Sequence, residues 1–327
     1  MPKHDDLTNQ SRTGRRQLYC SFQPPESVRQ LLEQRCEVRF ASGKGPIAHQ
    51  IGDAEAAMVV VTDDLSAPVI IDLPASLRAI ATYSVGYEHI DVAAATARGI
   101  AVLPTPDVLS PAVAENALFL LLGVARRATE SIELVRSGRW SGWTPTQLIG
   151  FELRGKTLGI LGMGRIGGEV ARRASALGMT VCYHNRHPAT APNARAYRFE
   201  PDLYEFLGSL DVLLLAAPST DETRGIINSD TLAQLKPGAS LINIGRGDLV
   251  VDDAVISALQ SRHLRGAGLD VFNNEPALDP RYLELPNVFA LPHIGSSTIE
   301  ARTSMAEILL DGLDAIDRGE RPANQIG

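Results

Sequence analysis

Three isolated polar residues in the last third of the chain have the side chains for proton-coupled chemistry. Arg246 lies in INIGRG, Glu275 in LDVFNNEP and His293 in LPHIGSST, each just after a short apolar stretch that reads as a strand. A histidine near its pKa at neutral pH can give or take a proton. A carboxylate beside it favours the imidazolium and fixes the ring's tautomer, and Glu275 is the candidate. An arginine presents a planar fork that grips a carboxylate through two parallel hydrogen bonds. Arg246 is placed for this between Gly245 and Gly247, which leave room for close approach. Each residue has an ordinary structural alternative: a histidine after proline, a solvated Glu275-Pro276 turn, an arginine in a helix-side ion pair. Their placement after three successive strands favours acid–base work on a small carboxylate.

A second motif supplies a partner for that chemistry. TLGILGMGRIGGEVARRASALG carries Gly162, Gly164 and Gly167 as G-x-G-x-x-G, after an apolar strand and at the start of a helix that Gly178 stops. The pattern alone is weak, but this strand–turn–helix setting is the one a dinucleotide fingerprint requires. The first glycine allows the tight turn, the second lets backbone approach a pyrophosphate, and the third permits close helix–strand packing. The helix amino terminus then offers unpaired amides to the phosphates. The next strand ends in Tyr183-His184-Asn185-Arg186-His187, where an acidic residue would bond the ribose of NAD. No carboxylate is present, and Arg186 and His187 suit a 2′-phosphate, so NADP(H) is expected to be preferred, with NAD(H) also possible. The alternative has Arg186 solvated and Asn185 on the ribose. Asp270 is placed to accept a hydrogen bond from a nicotinamide carboxamide; its alternative is turn chemistry. Ser84, Val85 and Gly86, after an earlier strand, are candidates for a backbone nest around a substrate carboxylate.

The elements that must hold these residues alternate almost throughout. At 327 residues, two domains are expected. Strands are expected at Leu18–Ser21, Val38–Phe40, Met58–Val61, Ile80–Thr82 and Ala101–Leu103, then at Thr157–Leu161, Thr180–Tyr183, Val212–Ala216, Ser240–Ile244, Ala267–Val271 and Val288–Leu291. Ser110-Pro111 opens an apolar helix to about Arg127. The loop Ser137–Phe151 carries Trp140 and Trp143, and a helix from about Thr298 to Arg318 is expected to return to the first unit. Thr105-Pro106-Asp107 reads as a hinge. With 31 basic and 38 acidic residues the formal charge is −7, which suggests no nucleic-acid partner. No apolar run is long enough to span a bilayer. The polar start of the chain reads as a flexible arm over residues 1–16 rather than a signal peptide. Three cysteines at unrelated spacings suggest neither a metal site nor a disulfide framework and fit a cytoplasmic setting.

YSVGYEHID, TPDVLSPAVAENALFLLLG, LRGKTLGILGMGRIG, APSTDETRGIIN, INIGRG, GAGLDVFNNEP and LPHIGSST stand in order along the chain. On these motifs, from about residue 17 onward, the chain resembles the D-isomer-specific 2-hydroxyacid dehydrogenase family. Within it, TPDVLS, WTPTQLIG and YHNR are most similar to glyoxylate/hydroxypyruvate reductases. The fold then expected is α/β with two domains. A Rossmann dinucleotide-binding domain with a doubly wound parallel sheet covers 109–295. A discontinuous flavodoxin-like substrate domain covers 1–108 and 296–327. The resemblance implies that Arg246 anchors the substrate, that His293 is the acid/base with Glu275 as its partner, and that backbone at Val85 and Gly86 binds the substrate carboxylate. It extends the cofactor-binding set to Arg165, Ile166, Pro218, Thr223, His293 and Gly295. It also implies a homodimer with the apolar helix at the interface. The function expected is NADPH-dependent reduction of a small 2-oxo acid. Alternatives are a bulkier D-2-hydroxy acid, phosphite, or a non-catalytic nucleotide-sensing protein of the corepressor type.

Overall fold

The alternation of strands and helices folds into two parallel sheets. The computed structural model describes residues 14–42 and 45–327. The chain divides into two compact units: the described residues up to Leu109 with Thr298–Gly327, and Ser110–Ser297.

The first unit holds β1 (Arg16–Cys20), β2 (Cys36–Phe40), β3 (Ala56–Val59), β4 (Ala79–Thr82) and β5 (Ala101–Leu103). Their order is β2-β1-β3-β4-β5, all parallel, which is the flavodoxin-like winding. Every residue of β3 and β4 is buried, as expected of central strands covered on both faces. The helix Ile299–Asp317 packs on the helix Glu26–Arg35 in this unit. Arg16, its side chain 7% exposed, bridges Asp314 at 2.8 Å and Asp317 at 2.5 Å. Arg16 therefore belongs to the sheet and not to the arm expected over residues 1–16; residues 1–13 of that expectation lie outside the described residues. Further along, the Asn324 amide donates to the Pro104 carbonyl at 2.8 Å, and Ile326 N–H donates to Val102 at 3.0 Å.

The second unit holds β6 (Thr157–Leu161), β7 (Thr180–His184), β8 (Arg198–Phe199), β9 (Val212–Leu215), β10 (Ala239–Asn243), β11 (Leu264–Leu269) and β12 (Val288–Ala290). All are parallel in the order β12-β11-β10-β9-β6-β7-β8, the Rossmann order with one added strand. The winding reverses between β6 and β9, the point where ligands bind beyond the strand ends in open α/β sheets. Two features depart from the expected elements. The helix from Ser110 ends at Ala125, Arg127 turns left-handed (φ 54°), and a separate helix runs Ala128–Arg136. The two-residue β8 pairs with β7 at the sheet edge and is too short to show periodicity.

Register places the candidate residues. Leu161 of β6 pairs with His184 of β7 and Leu215 of β9. Leu215 pairs with Asn243 of β10, Asn243 with Leu269 of β11, and Leu269 with Ala290 of β12. One row thus crosses six strands at their carboxyl ends. The glycine turn, Asn185–His187, Pro218–Thr223, Arg246, Asp270–Glu275 and His293–Gly295 all follow that row within a few residues. Among the described residues, no helix is long and apolar enough to cross a membrane.

Candidate active site

The turn after β6 divides its glycines by role. Gly162 has φ +102°, and a Cβ there would sit 2.5 Å from the Ala217 nitrogen. Gly167 would clash through a Cβ with the Gly162 carbonyl, so it keeps the helix Arg165–Ala176 tight on the strand. Gly164, by contrast, would meet nothing within 4 Å. The helix therefore begins at an open turn whose N-cap, Gly164, has no side chain to cap its first amides. A tightly packed frame around one open glycine at a bare helix amino terminus fits a dinucleotide pyrophosphate.

Asn185 is engaged with this turn. Its side-chain oxygen accepts from Met163 N–H at 2.7 Å, and its NH₂ donates to the Met163 carbonyl at 3.3 Å. One N–H of the amide then remains for a ribose hydroxyl. Arg186 and His187 are exposed on the loop beyond, and the Arg186 charge helps hold the exposed Glu222 carboxyl below its ordinary range, behind the Thr220 hydroxyl and the Glu222 backbone. Pro218 and Thr223 form one turn after β9. The Thr223 hydroxyl donates to the Pro218 carbonyl at 2.7 Å and accepts from Thr220 N–H at 2.8 Å.

The catalytic candidates come from adjacent loops. His293 Nδ1 lies 2.7 Å from Glu275 Oε2, and Glu275 Oε1 accepts from Phe272 N–H at 2.8 Å. The hydrogen bond to Glu275 holds the imidazole above its ordinary pKa against burial, which works the other way. Burial pushes the Glu275 carboxyl up, but the bonds from His293 and Phe272 and the charges of His293 and Arg246 outweigh it, leaving it below its usual range. With Nδ1 facing the carboxylate, Nε2 is the nitrogen left to exchange a proton with a ligand.

Arg246 is half-buried at the end of β10, in extended backbone (φ −141°, ψ 148°), and its guanidinium donates to the Gly245 carbonyl at 2.8 Å. A Cβ on Gly247 would run into the backbone carbonyl of Phe272, so the Arg246 loop lies directly on the loop that carries Glu275.

Asp270 has a structural role the sequence did not disclose. It is 2% exposed, and its two carboxylate oxygens accept from Ile294 N–H and Gly295 N–H, both at 2.9 Å. Its own carbonyl accepts from His293 N–H at 2.9 Å. Burial raises its pKa against those amides and the charge of His293. Asp270 therefore fixes the left-handed backbone of His293 (φ 52°). The Asn116 side chain also acts on Asp270 as a hydrogen-bond donor, and the carboxylate still has acceptor capacity for a further one.

In the first unit, the Ser84 hydroxyl donates to the Gly86 carbonyl at 2.6 Å and so accepts from the Thr82 hydroxyl at 2.6 Å. Among the described residues no carbonyl takes the Val85 or Gly86 amide. The turn is held from within, and these two amides are free to bind an anion. The Tyr83 hydroxyl donates to the Arg302 carbonyl, which ties the same turn to the Ile299–Asp317 helix.

A Rossmann unit with a dinucleotide turn, and an arginine, a glutamate and a histidine at its strand ends, defines a nucleotide-dependent dehydrogenase. The family model for the D-isomer specific 2-hydroxyacid dehydrogenase NAD binding domain matches residues 118–295. The chain is 41% identical over 308 residues to a glyoxylate reductase of Pyrococcus furiosus, covering 91% of each chain. It is 40% identical over 267 residues to a glycerate dehydrogenase of Hyphomicrobium methylovorum, covering 81% of this chain and 83% of that one. Among solved structures it superposes with a TM-score of 0.85 on an NADPH-dependent glyoxylate/hydroxypyruvate reductase of Sinorhizobium meliloti in complex with NADP and malonate. The identity there is 33%, over 96% of this chain and 97% of the other. The chain belongs to the D-isomer specific 2-hydroxyacid dehydrogenase family.

Proposed function

We propose that this protein reduces small 2-oxo acids such as glyoxylate and hydroxypyruvate, with NADPH as the preferred donor. The observation that carries the chemistry is the 2.7 Å His293–Glu275 pair on a loop packed against that of Arg246. The names of the relatives support the substrate class. When bound, the dinucleotide supplies hydride to the carbonyl carbon. Arg246 holds the substrate carboxylate and stabilises charge developing on the carbonyl oxygen. His293, held protonated by Glu275, delivers its Nε2 proton to that oxygen. Asp270 keeps His293 in place and offers a lone pair to the nicotinamide amide. The open amides of Val85 and Gly86 are the anion-binding element of the first unit. A panel of 2-oxo acids, with NADPH oxidation followed by its absorbance, tests the proposal. Turnover is expected on glyoxylate and hydroxypyruvate; no turnover on any acid overturns it.

The cofactor preference rests on His184-Asn185-Arg186-His187, which carries no carboxylate and leaves Arg186 exposed. Losing a charge-assisted bond costs about 1.5–3 kcal/mol. Arg186→Ala should therefore lower kcat/KM for NADPH by roughly 10- to 100-fold and leave that for NADH within about threefold. Equal loss with both, or a wild-type advantage for NADH, overturns the preference. The protein is further proposed to act as a cytoplasmic homodimer. Phe119, Leu122, Ile132, Val135, Trp140 and Trp143 are exposed apolar side chains along Ser110–Ala125, Ala128–Arg136 and the following loop, apolar surface that a second copy would cover. Sedimentation should give twice the chain mass.

A further inference from the structure

Asn243, the last residue of β10, is fully buried three residues before Arg246. Its oxygen accepts from Gly245 N–H at 3.0 Å, and its NH₂ donates to the Arg246 carbonyl at 2.9 Å. The amide thus closes a small ring across the turn that presents Arg246. Its donor faces a carbonyl and its acceptor faces an N–H, so only one orientation of the amide satisfies both. The Asn243 carbonyl in turn accepts from Asp270 N–H at 3.0 Å, and Asp270 holds the His293 loop. One residue therefore joins the turn of the anion-binding arginine to the clamp of the histidine.

We infer that Asn243 is a positioning residue for the reaction: its side-chain amide sets where Arg246 meets the substrate carboxylate. The inference rests on Arg246 being the carboxylate anchor. Asn243 touches neither the glycine turn nor the Asn185 loop in any hydrogen bond described, so its influence is directed at the oxo acid and not at the nucleotide. A misplacement of about 1 Å in a binding group can cost on the order of 100-fold.

The test uses Asn243→Ala, Asn243→Asp and Arg246→Ala beside the wild type. Glyoxylate kinetics are read from pH 5 to 8, and the NADPH Kd of each is taken from nicotinamide fluorescence. Asn243→Ala removes both bonds and should raise KM for glyoxylate, lowering kcat/KM by roughly 10- to 100-fold, with the NADPH Kd within about threefold of wild type. Asn243→Asp carries the finer readout. As a carboxylate it keeps the bond from Gly245 but repels the Arg246 carbonyl. As a protonated acid it has one donor and one acceptor and reproduces the amide's pattern. Burial raises the pKa of such a carboxyl, so the ratio of Asn243→Asp to wild-type kcat/KM should rise as pH falls. Dividing by the wild type removes the titration of the His293–Glu275 pair, which both proteins share. A ratio flat with pH overturns the inference. So does a loss of NADPH binding in either Asn243 variant, since the amide would then be supporting the sheet at large. Arg246→Ala separates the two levels: if it leaves the glyoxylate KM unchanged, the role of Arg246 itself is wrong. If it raises that KM while the Asn243 variants do not, only the positioning role of Asn243 fails.

Discussion

At the scale of single residues, His293 and Glu275 make the sharpest claims. General acid catalysis contributes typically ~10²–10⁴-fold, so His293→Ala should lower kcat at saturating NADPH by about that factor. A near-wild-type rate would remove the histidine from the mechanism. For reduction, His293 must carry its proton, so activity falls as pH rises through the histidine pKa, which Glu275 holds above the ordinary value. Glu275→Gln removes that cause, and the alkaline limb of kcat/KM should move to lower pH; an unmoved limb would break the pairing. The same pair affects folding stability in both directions. Its contribution is lost as pH rises through the raised histidine pKa and as pH falls through the lowered Glu275 pKa. With side chains 45% and 33% exposed the stabilisation is small. The trio was legible in the sequence because each member is a lone polar residue after an apolar strand. Asn243 was not, because an asparagine at a strand end reads equally as a turn former. The engagement of Asp270 with Ile294 and Gly295, and of Asn185 with Met163, depends on loops more than twenty residues apart and has no local signature.

Among the elements, the loops after β10 and β11 depend on contact between backbones. Gly247 permits that contact, and any side chain there must push the Phe272 carbonyl away. Gly247→Ala should separate Arg246 from the Glu275–His293 pair and lower kcat/KM for the oxo acid by on the order of 100-fold. Nucleotide affinity should persist, since the Gly162–Gly167 turn lies across the switch point. Parallel loss of NADPH binding, measured by fluorescence titration, would show that the glycine serves the sheet as a whole. The strands themselves were readable from apolar runs bounded by turn residues, and the dinucleotide turn from its glycines. The strand order was legible only through the family resemblance, because nothing local says that β9 inserts beside β6 while β7 and β8 turn the other way. The break at Arg127 was also hidden: a left-handed arginine carries no glycine or proline to announce it.

For the molecule as a whole, the row from Leu161 to Ala290 explains how six distant segments come to follow the same ends of one sheet. Parallel strands in common register put every carboxyl end on one edge, so chemistry scattered over more than 130 residues of sequence converges without any long loop. The first unit is assembled differently. Its sheet is complete by Leu103, but the helix Ile299–Asp317, the Arg16 ion pairs and the Asn324 and Ile326 bonds all arrive after the second unit has been made. Domains generally fold as units during synthesis, the amino-terminal one first. Here that order should reverse. The chain cut back to residue 297 and released from the ribosome is expected to hold a protease-resistant second unit and a protease-sensitive first one; protection of both would refute it. The unit begun first must wait, partly uncovered, for its own last stretch, Thr298–Gly327, and it is during that interval that the nascent chain has most need of a chaperone.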